Sequence, residues 1–430
     1  MLPSVRRAGR SADPWEGWSS LRDFPHDFLW GASTSAHQVE GGNIYSDWHL
    51  WERQPGTQAV EPSGDAIDHF HRYNEDFALL ASLGHNAHRF SLEWSRVEPA
   101  EGQFDEAALQ HYERVLGSLD AHGLTPVVTL HHKTLPQWFA ARGGWRSEGA
   151  VETFTRYVSR VAERYAGRMP WVCTINEPQI QAVFSHLFGL FPPNLTDPTT
   201  AASVNGVLLA AHRSAVAAVR AADPTARAGV CLQLAPFSPL RPDDADDIAA
   251  TALMQRLMTD DYLEDLASGG DVGDFVGVQY YTRARIDARL PTLIAPPRPG
   301  TETTQMGWEV HPEGLAEVLR AATSTGLPAL ITENGIATDD DRQRVSFLAR
   351  HLAAVRDVMS SGVPVLGYLH WSAFDNFEWN HGYAPRFGLV QVDRADGLRR
   401  TPRPSAHAYA RLCRSGRLDA LEPVTEDVAS

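Results

Sequence analysis

Residues 329–335 read Ala329-Leu330-Ile331-Thr332-Glu333-Asn334-Gly335. A short apolar run ends abruptly on a carboxylate and then turns through Asn-Gly, so the acid sits where a strand stops and chemistry can begin. A second run has the same build: Val172-Cys173-Thr174-Ile175-Asn176-Glu177-Pro178, closed by a residue that cannot continue a strand. Two strand-end glutamates, Glu177 and Glu333, suggest an acid/base pair.

Working outward, six further runs share this character, giving strand candidates at 28–34, 87–93, 126–132, 172–177, 228–234, 275–282, 329–333 and 365–371. Several are apolar on both faces, as buried parallel strands are. The segments between them carry one apolar stripe each: Phe70, Tyr73, Phe77 and Leu80; Val151, Phe154, Val158 and Val161; Val345, Leu348, Leu352, Val355 and Met359. Spacings of three and four residues put one helical face on a core. Eight strand-then-helix units with no composition break between them predict an α/β fold, a single (β/α)8 TIM barrel with enlarged βα loops. The unpatterned stretches 187–198 and 290–304 are the predicted enlargements. The expected organisation is an N-terminal arm over 1–20, the barrel over 21–415 and a C-terminal tail over 416–430.

Composition sets limits on function. The chain has 430 residues and a formal charge of −15, from 38 basic and 53 acidic side chains, which argues against a general nucleic-acid binder. Cys173, Cys231 and Cys413 are too few and scattered for a disulfide framework or a zinc site, and read as buried thiols. The N-terminal stretch lacks the apolar core of a signal peptide, and no run approaches the roughly 18 consecutive apolar residues of a membrane helix. A cytoplasmic protein without membrane association is the expectation. The acidic runs at 243–247 and 339–341 read as solvated helix starts.

In a barrel, the site lies at the carboxyl ends of the strands. The polar and aromatic residues predicted there are Gln38, Arg89, His132, Asn176, Glu177, Tyr281, Glu333, Trp371, Glu378 and Trp379. These types together read as a sugar site, since hydroxyl-rich ligands need bidentate hydrogen-bonding groups and flat aromatic walls. Two glutamates flanking a glycosidic bond divide the labour between acid and nucleophile. Arg89 and the Tyr281 hydroxyl would hold one of them ionised, whereas the acid is expected to stand away from Arg89 beside an anionic partner. His131-His132 is not a metal pair, because adjacent strand residues face opposite ways and no further ligand follows at a suitable spacing. Neither a metal nor an organic cofactor is expected.

The chain resembles the family 1 glycoside hydrolases, the retaining β-glucosidase and β-galactosidase group, over about 28–412. Ordered motifs carry the resemblance: Phe28-Leu-Trp-Gly-Ala-Ser-Thr-Ser-Ala-His-Gln-Val-Glu40, His88-Arg-Phe-Ser-Leu-Glu-Trp94, Asn176-Glu-Pro178, Thr332-Glu-Asn-Gly335 and the run from Trp371 through Asn376-Phe-Glu-Trp379 to Arg386-Phe-Gly-Leu389. The resemblance implies that Glu333 is the nucleophile and Glu177 the acid/base. It also implies that Asn176 bonds the 2-hydroxyl, that Gln38, His132, Glu378 and Trp379 grip the outer hydroxyls, and that Trp371 is the platform. Arg89 and Tyr281 would surround the nucleophile. A terminal β-glucoside is the implied substrate, with β-galactoside or β-fucoside as other glycones. Alternatives are a transglycosidase acting on small aglycones and a non-catalytic sugar-binding barrel.

Two departures from the family pattern stand out. Lys133 occupies a position usually aromatic, in His132-Lys133-Thr134-Leu135-Pro136, and Gln279 stands where asparagine is usual. An inward Lys133 is expected to add a donor favouring an oxygen-rich or anionic glycone. A 6-phosphorylated sugar is disfavoured by the negative charge of Glu378.

Overall fold

The computed structural model describes residues 23–421. Its eight barrel strands are Leu29–Ser33, Ala87–Ser91, Thr125–His131, Trp171–Asn176, Arg227–Gln233, Phe275–Tyr280, Ala329–Asn334 and Val365–Trp371, each within two residues of its predicted bounds. Every strand is parallel to its sequence neighbours. The first closes on the eighth, with Leu29 opposite Gly367 and Ser33 opposite Trp371. The predicted TIM barrel is therefore the observed one.

The inside of the barrel is filled near its base by Ala87, Val127, Cys173, Cys231, Phe275, Leu330 and Leu369, one from each of seven strands. Both barrel cysteines are free and buried, as is Cys413. Outside, the stripes dock as their periodicity requires. On the helix Ala150–Arg164, Phe154, Tyr157, Val158 and Val161 are wholly buried, and each such side chain contributes roughly 1.5–3 kcal/mol by leaving water. The helix Pro198–Ala222 is long and apolar enough to cross a membrane, with mean hydropathy 1.2. Here it packs against Ala150–Arg164 and buries Val204, Leu208, Ala211 and Ala215.

Several details differ from the sequence reading. Asp244 and Asp340 cap the helices Ala245–Gln255 and Asp341–Ser360, yet Asp247 is not solvated. It is buried and pairs with Arg241 at 2.6 Å, which compensates a charge that would be strongly destabilising if buried alone. Residues 416–421, read as tail, continue the packed structure: Leu418–Leu421 forms a 3-10 turn with Leu421 in the main core. The 1–20 arm and residues 422–430 lie outside the described residues. Two small ribbons, Phe237–Pro239 with Ala284–Ile286 and Val390–Asp393 with Arg399–Pro402, sit outside the barrel.

Two features set up the strand ends. Strand pairing slips in register just before Asn176 and just before Gln279, and bulges of this kind re-aim the side chains that follow. Gly335, directly after the Glu333-Asn334 corner, lies so close to the eighth strand that a Cβ would fall 1.6 Å from the Trp371 carbonyl oxygen. Only glycine fits there, which explains the Asn-Gly ending of the seventh strand.

Candidate active site

The carboxyl ends of the strands open into a cavity of about 460 Å³ whose lining includes Gln38, His132, Lys133, Glu177, Tyr281, Glu333, Trp371, Glu378 and Trp379. The barrel thus brings nine predicted residues to one place. Arg89, Asn176 and Gln279 lie immediately behind, in hydrogen-bonded contact with Glu333 or with one another.

Glu333 is surrounded by donors. Arg89 Nη1 lies 2.5 Å from Oε1, Gln279 Nε2 donates to the same oxygen at 2.8 Å, and the Tyr281 hydroxyl donates to Oε2 at 2.6 Å. Burial pushes the Glu333 carboxyl above its ordinary range and the nearby Glu177 adds to this, while Arg89 and Tyr281 pull it down. Three donors on two oxygens favour the carboxylate. Arg89 thus acts in the expected direction, toward the ionised form, and does so against the effect of burial. Burial, together with Glu333, pushes the Tyr281 phenol well up, so it stays protonated and donates.

Asn176 is fixed by the same frame. Its Oδ1 accepts from Arg89 Nη2 at 2.5 Å and from Gln279 Nε2 at 2.7 Å. The longer Gln279 side chain thus ties Asn176 to Glu333 and does not project toward a ligand. With Oδ1 doubly engaged, the Nδ2 group of Asn176 is buried with no protein partner and remains a donor to spend.

Glu177 has the expected anionic neighbour in Glu333, but its ion-pair partner is a cation: Lys133 Nζ stands 3.0 Å from Glu177 Oε2, both side chains almost wholly enclosed. The ammonium also lies 4.9 Å from the centre of the Trp379 ring. Lys133 does point inward, but its charge is engaged by Glu177 and not held out for a glycone. Glu177 itself has a left-handed backbone, φ 46°, as do Lys133 at 67° and Trp379 at 51°. Among the described residues these are three of eight such non-glycine positions, and left-handed backbone at a site marks geometry enforced against local preference.

The remaining predicted residues form a second wall. Gln38 Nε2 donates to the Phe377 carbonyl at 2.8 Å and reaches Glu378 Oε2 at 3.3 Å. Burial pushes the Glu378 carboxyl up to about 8 despite the opposing pull of Lys133. At neutral pH it is therefore largely a carboxylic acid, and the argument that its negative charge repels a 6-phosphate loses its basis. His132 lies nearly parallel to both Trp371 and Trp379, with ring centres 6.1 and 6.2 Å away. Burial, with Arg89 and Lys133 nearby, holds its imidazole well below the ordinary range, so it is neutral. His131 faces the other way, against Trp94 and Trp145, as alternation along a strand requires.

Sequence reasoning missed the outer half of the cavity. Ile180 and Phe184 on the helix Pro178–His186, Phe191, Met254, Met258 and Trp308 line it. Pro178 at the helix start was a visible signal for the first two. Met254 and Met258 flank the start of a π-helical turn, Arg256–Asp260, for which the sequence gives no sign.

Three comparisons bear on this geometry. The family model described as glycosyl hydrolase family 1 matches residues 20–295 and 271–417. β-Glucosidase A of Thermotoga maritima is 30% identical over 446 residues, covering 93% of this chain and all of that protein. Among solved structures, the β-glycosidase from Pyrococcus horikoshii superposes with a TM-score of 0.85 at 36% identity, covering 92% of this chain and 96% of that one.

Proposed function

The chain belongs to glycosyl hydrolase family 1, a family of retaining β-glycosidases, and from that premise we propose that Glu333 attacks the anomeric carbon of a terminal β-glucoside while Glu177 protonates the departing oxygen. The observation that carries the assignment is the set of three donors on Glu333, which keeps a carboxylate oriented without neutralising it. Attack forms an ester between Glu333 and the sugar and breaks the glycosidic bond. Water then attacks the anomeric carbon from the side that the aglycone left, Glu177 takes its proton, and the ester bond breaks to restore the carboxylate. Two inversions give retention.

Asn176 Nδ2 is the donor for the 2-hydroxyl, where hydrogen bonds strengthen as charge develops on the ring. Gln38, His132, Glu378 and Trp379 bind the outer hydroxyls, and Trp371 supplies the flat floor. Lys133 Nζ is ion-paired with Oε2 of Glu177, so Oε1 is the oxygen that exchanges a proton with the substrate. A non-catalytic barrel is disfavoured because both carboxylates line one cavity. Transfer to an alcohol shares the first step, and product analysis with and without added alcohol separates it from hydrolysis.

The test is chemical rescue. Glu333→Ala is expected to lose nearly all turnover of an aryl β-glucoside and to regain part of it with azide, giving the α-glucosyl azide. A β-configured azide would remove Glu333 from the nucleophile's role.

A further inference from the structure

The cavity has two chemically different halves. Its floor holds the carboxylates and hydrogen-bonding groups assigned above. Its outer wall is built from Ile180, Phe184, Met254, Met258 and Phe237, which pack with one another in a separate apolar cluster outside the barrel core. Met306 and Trp308 face the cavity from the other side, and Ile294 extends the apolar surface to the rim, where it is 39% exposed.

Three polar side chains on this wall are already engaged, while Gln58, Gln233 and His381 line the cavity as well. Thr282 Oγ1 donates to the Glu309 carbonyl at 2.9 Å, the Arg283 guanidinium is paired with the Glu309 carboxylate, and Asn380 Nδ2 donates to the Leu190 carbonyl at 2.7 Å. Against Ile180, Phe184, Phe237, Met254 and Met258 the hydroxyls of a second sugar ring would find no partner, and each unpaired hydroxyl would lose its water. An apolar group would instead shed water on both sides. The two methionines add adaptability, since an unbranched thioether re-packs around irregular shapes; Met258 lies within a π-helical turn and Met254 just before it.

Resting on the reading that Glu333 and Glu177 cleave a β-glucoside, we propose that the aglycone this enzyme is built for is an apolar alcohol, and not a second sugar. The outer wall is its subsite, and Phe184, Phe237, Met254 and Met258 determine the preference.

The test is a series of alkyl β-glucosides from ethyl to hexyl, with cellobiose alongside. Lengthening the chain hardly alters the acidity of the alcohol, so the chemical step is held constant while apolar contact grows. kcat/KM is expected to rise roughly threefold for each methylene seated, and hexyl β-glucoside to exceed cellobiose by at least about tenfold. In Phe237→Asn the hexyl-to-ethyl ratio should fall about tenfold, while Phe237→Leu should largely keep it, which separates subsite chemistry from damage to the fold. A flat chain-length series, or cellobiose as the better substrate, overturns the proposal. Failure to cleave even an activated aryl β-glucoside would instead overturn the reading beneath it, so the two failures are distinct.

Discussion

Replacing Glu378 by glutamine changes one atom in a carboxyl that folding has made reluctant to ionise. In the unfolded chain it ionises near 4.5, and in the folded protein near 8. Between those values the folded state holds a proton that the unfolded state releases, so stability falls as pH rises through the interval and levels off above it. At about 1.4 kcal/mol per pH unit the ceiling is about 5 kcal/mol. Glu378 keeps part of its surface open to the cavity, where water lowers the cost of ionisation, so about half of that, ~2–3 kcal/mol, is the expected effect. Glutamine preserves shape and hydrogen-bonding capacity but never ionises. Unfolding entropy of ~2.1 cal/mol/K per residue over roughly 400 residues converts ~2–3 kcal/mol into about 3 °C of Tm. Calorimetry of wild type and Glu378→Gln at pH 5 and pH 8.5 tests this. The Tm advantage of the variant should be about 3 °C greater at the higher pH, because every other titrating group is shared. An advantage that ignores pH, or shrinks as pH rises, refutes the reasoning.

Other expectations follow from the same geometry. Tyr281→Phe removes a 2.6 Å bond to Glu333 Oε2 and should lower kcat by about 10- to 100-fold, the worth of a charged hydrogen bond of roughly 1.5–3 kcal/mol; steady-state kinetics showing less than a twofold change would contradict the assignment. Glu177→Ala should slow methyl β-glucoside by at least about a hundredfold yet still give a burst with dinitrophenyl β-glucoside, which needs no proton; loss of the burst removes Glu177 from its role. Lys133→Met should leave the glucoside-to-glucuronide ratio unchanged, because the lysine is paired with Glu177, but raise methyl relative to dinitrophenyl turnover several-fold by freeing the proton donor from its cation. A changed glucuronide ratio would restore Lys133 as a glycone reader. Gly335→Ala forces a carbon against the Trp371 carbonyl and should cost at least about 3 kcal/mol or prevent folding, read by urea denaturation.

The strand ends were legible because a buried parallel strand is apolar on both faces, so a carboxylate at its end, as at Glu177 and Glu333, breaks a pattern with no other local explanation. Helical stripes such as Phe154, Val158 and Val161 were legible for the same reason of period. What could not be read were relations between distant segments. Lys133 and Glu177 are 44 residues apart in sequence, and nothing local says that their charges meet at 3.0 Å. Gln279 stood out only as a glutamine where asparagine is usual, and nothing local says that its reach joins Asn176 to Glu333. The apolar wall was hidden because Met254 and Phe237 come from a helix and a three-residue strand beside the barrel, where periodicity reports packing and says nothing of which cavity the face lines.

The left-handed backbone of Lys133, Glu177 and Trp379 has a bearing on how this enzyme can be made to last. Each such residue raises the folded state by about 1–2 kcal/mol, a cost that glycine would remove. At these three positions the side chain is what the site is made of, so that stability is out of reach to an engineer who wants to keep turnover. Ala66, at φ 48° and wholly buried, carries the same backbone with only a methyl group to lose. Durability should therefore be sought at the margins of the barrel mouth, and the mouth itself treated as a region where heat resistance and catalysis compete for the same residues.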